Sequence, residues 1–274
     1  MKIKRFPAGV DYHSHVAISQ SKAADFAKYG PVWFNAVHNK GTLVKPSTAL
    51  MKFGQMAHGF ILRGEFTQTV IPPREVLSKS GSRAGRAFKE FVSDHPEGTY
   101  FPSVSESRQL WGIKCAVAEH PTAKALIADG EHEIALLAPD SRFPERGLRA
   151  KLDVLADKRI VDVKFRQDIH DFDKLMRHVV DMHYDWQLAF YRAIAGDSDR
   201  ACVLLFIQPE PPHQTRCVRL GDDWLSTAYS ELNDVLDDLS ARYKADNWDP
   251  PEGNDLIYVR SRPERIRRRF SEDF

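Results

Sequence analysis

The chain has 274 residues, 42% hydrophobic and 28% charged, with 39 basic against 38 acidic side chains and a formal net charge of +1. This length and apolar content suffice for a full core and exclude a disordered chain, while the near-zero charge gives by itself no ground for a nucleic-acid partner. Three widely spaced cysteines, Cys115, Cys202 and Cys217, argue against a disulfide framework, a cysteine zinc site and a four-cysteine iron–sulfur cluster. No run of about 18 apolar residues is present, and no apolar segment follows Met1-Lys-Ile-Lys-Arg. The expectation is no membrane span, no signal peptide and a reducing cytoplasm.

Residues 1–17 read as an irregular lead-in, 18–250 as one domain and 251–274 as a basic tail. Ser19-Gln-Ser21 starts a helix that ends at Gly30-Pro31. Pro46-Ser47-Thr48 opens a second helix to about Leu62. Residues 71–86 form a loop, followed by a capping box, Ser103-x-x-Glu106, for a helix to about Glu119. Pro121 opens a shorter helix that stops near Gly130. The period then changes to two, giving strands at 133–137, 148–154 and 159–165. Residues 168–183 read as a His-, Asp- and Met-rich connection, Tyr184–Ile194 as a helix ended by Gly196, and Ala201–Ile207 as an internal strand. Leu225, Leu232, Leu236, Leu239 and Tyr243 mark a last amphipathic helix. The fold class is α/β, with additional N-terminal helices.

Chemistry concentrates at 147–165. A two-residue turn at Asp157-Lys158 sets Ala156 opposite Arg159, Asp153 opposite Asp162 and Lys151 opposite Lys164. Strict alternation puts these four charges on one face and Leu152, Val154, Val161 and Val163 on the other. Two facing carboxylates repel unless a proton or cation lies between them, and a hard divalent ion such as Mg²⁺ suits them. Lys164 could then orient or help deprotonate an attacking water, or stabilise charge on a phosphate. The same pattern is also that of an amphipathic hairpin with a wet polar face, and a one-residue change of turn would undo the facing. Glu133 on the preceding strand could add a ligand or a base. In Gly54-x-x-x-His58 the spacing puts both residues on one helix face, with glycine allowing close approach and a neutral imidazole able to bind metal. Gln187-x-x-x-Tyr191 is a polar pair on an otherwise apolar helix.

In this order, Gly54-x-x-x-His58, Glu133, Asp153, Asp162-x-Lys164 and Gln187-x-x-x-Tyr191 resemble the PD-(D/E)xK nuclease superfamily, and within it the RecE/exonuclease VIII-like and RecB-type branch, over roughly residues 18–208. The resemblance implies a restriction-endonuclease-like αβββαβ core with a mixed central sheet, and Mg²⁺- or Mn²⁺-dependent phosphodiester hydrolysis. By position, His58, Asp153 and Asp162 would be metal ligands, with Glu133 an acidic position of less defined role, as ligand or catalytic group. Lys164 would be the catalytic lysine, and Gln187 and Tyr191 would position substrate or support the site. The branch resects linear double-stranded DNA from 5′ ends for phage-type recombination, assembles as homo-oligomeric rings and works with a single-strand annealing protein. The departures are Asp-Val-Lys in place of Glu-x-Lys, the long 166–183 connection and the tail, where Arg260, Arg262, Arg265, Arg267, Arg268 and Arg269 stand against Glu264. The loop cations Lys79, Arg83, Arg86 and Lys89 are expected to grip DNA, and the tail to serve assembly. An endonuclease, a single-strand-specific nuclease and a non-catalytic DNA-binding module on the same fold are the alternatives, beside a plain structural protein.

Overall fold

A computed structural model describes residues 3–250, apart from residues 8, 46–48, 65–68 and 98. The expected helix opening at 46–48 and the arginine-rich tail lie outside the described residues. The elements run β1 (Lys4–Arg5), α1 (Gln20–Phe34), α2 (Ala49–Arg63), α3 (Arg86–Ser93), α4 (Val104–Glu119), α5 (Pro121–Ala128), β2 (Glu131–Ala138), β3 (Leu148–Leu155), β4 (Arg159–Phe165), α6 (Phe172–Asp181), α7 (Tyr184–Ala195), β5 (Ala201–Ile207), β6 (Thr215–Leu220) and α8 (Asp222–Ala245).

Local chemistry sets the boundaries. Ser19 caps α1, its side chain accepting from the Lys22 N–H. Gly30, at φ 78°, breaks that helix before Pro31 restarts it. The capping box at Ser103 and Glu106 closes reciprocally on α4, and Pro121 stands at the first turn of α5. Gly196, at φ 72°, ends α7.

The six strands form one mixed sheet in sequence order. All neighbours are antiparallel except β4 and β5, which are parallel and joined through α6 and α7. The sheet divides two cores. On one side Leu148, Ala150, Leu152, Ile160 and Leu204 pack with Phe26, Leu175, Leu188 and Leu232, from α1, α6, α7 and α8. On the other side Val154, Val161, Val163 and Leu205 pack with Phe53, Phe60, Ile113 and Ala123, from α2, α4 and α5. The expected mixed αβββαβ core is present, covered by helices on both faces. Among the described residues no helix is long and apolar enough to cross a membrane.

Three expectations are corrected. The lead-in is not wholly irregular: Lys4 and Arg5 pair with Leu137 and Leu136, adding β1 to the sheet edge. The 168–183 connection contains α6, capped by Asp171 on the Lys174 N–H and burying Leu175, Met176 and Val179 at helical spacing. β6 lies between β5 and α8 as an edge strand, where only Val218 and Leu220 are buried.

Candidate active site

The hairpin has the expected register. Ala156 N–H donates to Arg159 C=O at 2.9 Å, and Val154 pairs with Val161, Leu155 with Ile160. The ladder stops there. In a continuing ladder the Val163 N–H would meet Leu152 C=O; it donates instead to Asp153 Oδ2 at 2.8 Å. The Asp153 carboxylate thus stands where the two strands part.

On the other side of β3, Glu133 adopts a left-handed φ of 50° between the pairs His132–Val154 and Ile134–Leu152. Strict alternation fails at this level. Leu152 packs in one core and Val154 in the other, so the expected common face does not exist. Lys151 accordingly does not stand beside Lys164. Its Nζ donates to Glu133 Oε1 at 2.9 Å, and Arg63 Nη2 lies 2.6 Å from Glu133 Oε2. Two cations hold Glu133.

The remaining residues gather around the two aspartates. His58, on α2, has Nδ1 3.3 Å from Asp153 Oδ2, and its ring meets Phe165 edge-on at 5.3 Å. Lys164 Nζ lies 2.6 Å from Asp162 Oδ2, donates to Gln187 Oε1 at 2.9 Å and sits 4.5 Å from the Tyr184 ring centre. Gln187 Nε2 donates to the Tyr191 hydroxyl at 2.6 Å. Gly54 is not a steric necessity, because an added Cβ would lie 3.8 Å from Phe165, an ordinary contact.

Burial and charge set the protonation of these groups. Burial pushes the Asp162 carboxyl up to about 6, with Asp153 repelling and Lys164 opposing. Burial works the same way on Asp153, but His58, Lys164 and the Val163 N–H together hold it below the usual carboxylate range. Burial disfavours the charged forms of His58 and Lys164, yet the aspartates outweigh it and raise both. Burial also carries the Tyr191 phenol well above its ordinary range.

Among the described residues, no three His, Cys, Asp or Glu side chains are arranged to hold a metal ion. His58, Asp153 and Asp162 converge pairwise instead, each carboxylate facing one of the protein's own cations. The donor chemistry nevertheless fits a divalent ion. Asp162 Oδ2 is buried and, despite the nearby ammonium, makes no hydrogen bond of good geometry. A carboxylate with a free lone pair and a raised proton affinity, beside a second carboxylate and an imidazole, is a set that binds hard cations.

The model of a PDDEXK-like domain of unknown function, DUF3799, matches residues 19–259. The chain belongs to this family. That places it in the PD-(D/E)xK nuclease superfamily, as the resemblance implied. The DUF3799 chain also resembles the crystal structure of a proposed exonuclease from Eubacterium rectale, with 14% identity, a TM-score of 0.63, and 93% of this chain and 96% of that chain covered. At that identity the likeness shows the fold. An alkaline exonuclease from Laribacter hongkongensis is 12% identical over 86% of this chain and 97% of its own, with a TM-score of 0.31, too loose to argue from. No curated protein matches the chain in sequence.

Sequence reasoning missed three residues beside this cluster: Phe165, Arg63 and Tyr184. Tyr184 was legible. With Gln187 and Tyr191 it falls at i, i+3 and i+7, one stripe of α7. Phe165 and Arg63 carry no such signal, since only the fold brings them to His58 and Glu133. Of the cations expected to grip DNA from a loop, Arg86 and Lys89 stand instead on α3, and two of the four are tied to their neighbours. Arg83 pairs with Glu106 at 3.6 Å and donates to Phe101 C=O, and Arg86 pairs with Glu90 at 2.7 Å.

Proposed function

We propose that this DUF3799 protein is a divalent-metal-dependent nuclease that digests linear double-stranded DNA from its ends, in the 5′-to-3′ direction. The observation that carries the reading is the parting of β3 and β4, which sets Asp153 and Asp162 at its edge with Lys164 on one carboxylate and His58 on the other. The exonuclease description of the Eubacterium rectale structure supports the end-directed part. In this reading Asp153, Asp162 and His58 hold Mg²⁺ or Mn²⁺. Glu133, fixed by Arg63 and Lys151, orders the β2 side of the site. When bound, the ion supplies charge neutralisation at the phosphate and an acidified attacking water. Lys164, released from Asp162, places its ammonium against the scissile phosphate and stabilises the charge that builds there. Gln187 holds Lys164 in place and Tyr191 holds Gln187. The proposal takes a homo-oligomeric ring and a single-strand annealing partner from the RecE-like resemblance, with recombination in the cytoplasm as the setting.

The test is digestion of end-labelled linear duplex, covalently closed circular duplex and single-stranded DNA, with Mg²⁺, with Mn²⁺ and in excess EDTA. Loss of 5′ label from linear duplex alone, abolished by EDTA, is expected. Cutting of the circle makes the protein an endonuclease, and exclusive attack on single strands makes it a single-strand nuclease. Full activity in EDTA sinks the metal reading. DNA binding without cleavage under every condition leaves a non-catalytic module.

A further inference from the structure

We infer that the groove between α4 and the 71–77 segment is a binding site for single-stranded nucleic acid, with Trp111 as its stacking platform. The inference rests on the nucleic-acid reading above and names where the strand left unpaired by digestion would lie. The groove holds about 390 Å³. Three of the large apolar side chains left exposed by this fold, Ile71, Val104 and Trp111, line it together, and Trp111 keeps 53% of its surface open. Exposed apolar side chains gathered in one place mark an interaction surface. Trp111 is also held: its ring meets Phe60 edge-on at 5.1 Å, and Lys114 Nζ lies 5.5 Å from its centre.

Charge selects the occupant. Arg74 and Arg108 line the groove, and among the described residues no carboxylate does. Arg74 spends its two terminal nitrogens on the Ser78 and Lys79 carbonyls. Neither of these acceptors carries a formal charge, so they fix its position without neutralising it. An exposed indole flanked by arginines and a lysine offers one surface to a base face and another to phosphates, the combination that binds unpaired strands without reading sequence. A duplex hides its base faces everywhere but at its two ends, so along its length it cannot use the indole. Phe60 lies two residues from His58 on α2, so one helix connects this platform to the candidate active site.

The test is fluorescence anisotropy of labelled oligo(dT) and of a duplex of equal length, in EDTA so that nothing is cut. Trp111→Ala is expected to weaken oligo(dT) binding at least fivefold, while Trp111→Phe, which keeps an aromatic face, retains most of it. Arg108→Ala is expected to flatten the salt dependence by about one ion. Duplex binding should change less than twofold in all three, and circular dichroism should match the parent. Oligo(dT) binding unchanged in Trp111→Ala overturns the inference, as does an equal loss for duplex. A groove that takes an apolar peptide instead would give the first of these results. The two readings separate cleanly. Absent cleavage with Trp111-dependent oligo(dT) binding removes only the catalytic proposal, and intact cleavage with Trp111-independent binding removes only this one.

Discussion

Asp162 is the residue on which the site's energetics turn. Its carboxyl is raised to about 6 in the folded chain against about 3.9 in an unfolded one. Between these values the folded state holds the extra proton, so the stability that this one group contributes is fully present below pH 4 and is lost as pH rises to about 6. The expected size is on the order of 2–3 kcal/mol. In EDTA, Asp162→Asn should therefore gain stability relative to the parent as pH goes from 4.5 to 7.5, and should have no cleavage activity. A difference in melting temperature that stays flat across that range would show that Asp162 is not destabilised by burial. For Lys164→Ala the expected loss is about a hundredfold in rate, the scale of one preorganised donor, with DNA affinity little changed; equal rates would return the motif to a wet hairpin face. Tyr184 carries a milder expectation. Tyr184→Phe preserves the ring beneath Lys164 and should keep its rate, whereas Tyr184→Leu should lower the rate constant and leave apparent substrate affinity intact. If Phe and Leu behave alike, the ring does not position the lysine.

At the scale of elements, docking of the β5–β6 turn on α4 tests how tightly the layers fit. The His213 ring sits against Gly112, where an added Cβ would lie 2.3 Å from Nε2. Swinging the ring aside would give up its contact with Gln208, whose C=O lies 3.2 Å from Nδ1. Gly112→Ala should destabilise by about 1–3 kcal/mol, the cost of overpacking. Denaturant unfolding is the measurement, and a midpoint equal to the parent's would mean that the turn detaches freely. The elements also show what a sequence reveals. Caps and breakers were readable because they act through neighbours: Ser103 with Glu106, Gly30 with Pro31, Gly196 after α7. α6 was hidden although Asp171 caps it, because His170, Asp173, His178 and Asp181 mask a stripe only three residues wide. β6 was hidden because an edge strand buries only two of its side chains. The hairpin register was legible from the turn, yet the common face was not. The left-handed Glu133 and the side chain of Asp153 interrupt the alternation, and such an interruption has no local sequence signal.

For the molecule as a whole, the self-paired site predicts how metal and folding are linked. Without a divalent ion His58 and Lys164 each face one aspartate, so an ion must draw Lys164 off Asp162 and replace the proton on His58 to bind. Mg²⁺ at millimolar levels should raise the melting temperature by mass action. The rise should be larger at pH 7.5 than at pH 5, where the Asp162 proton competes. Thermal unfolding with and without EDTA measures it, and a shift that survives in Asp153→Asn/Asp162→Asn would place the ion elsewhere.

The short β1 has a consequence for how this protein behaves at high concentration. Lys4, Arg5 and the Phe6 N–H occupy the free side of β2 at Leu137, Leu136 and Ala135, an apolar stretch. Were that side open, the unpaired amides and carbonyls of β2 would be a template for the same strand of another molecule. Two charged residues thus act as a cover against sheet-to-sheet growth. A chain shortened by its first seven residues should fold and then gather into β-rich assemblies that bind thioflavin T, while the full chain stays clear.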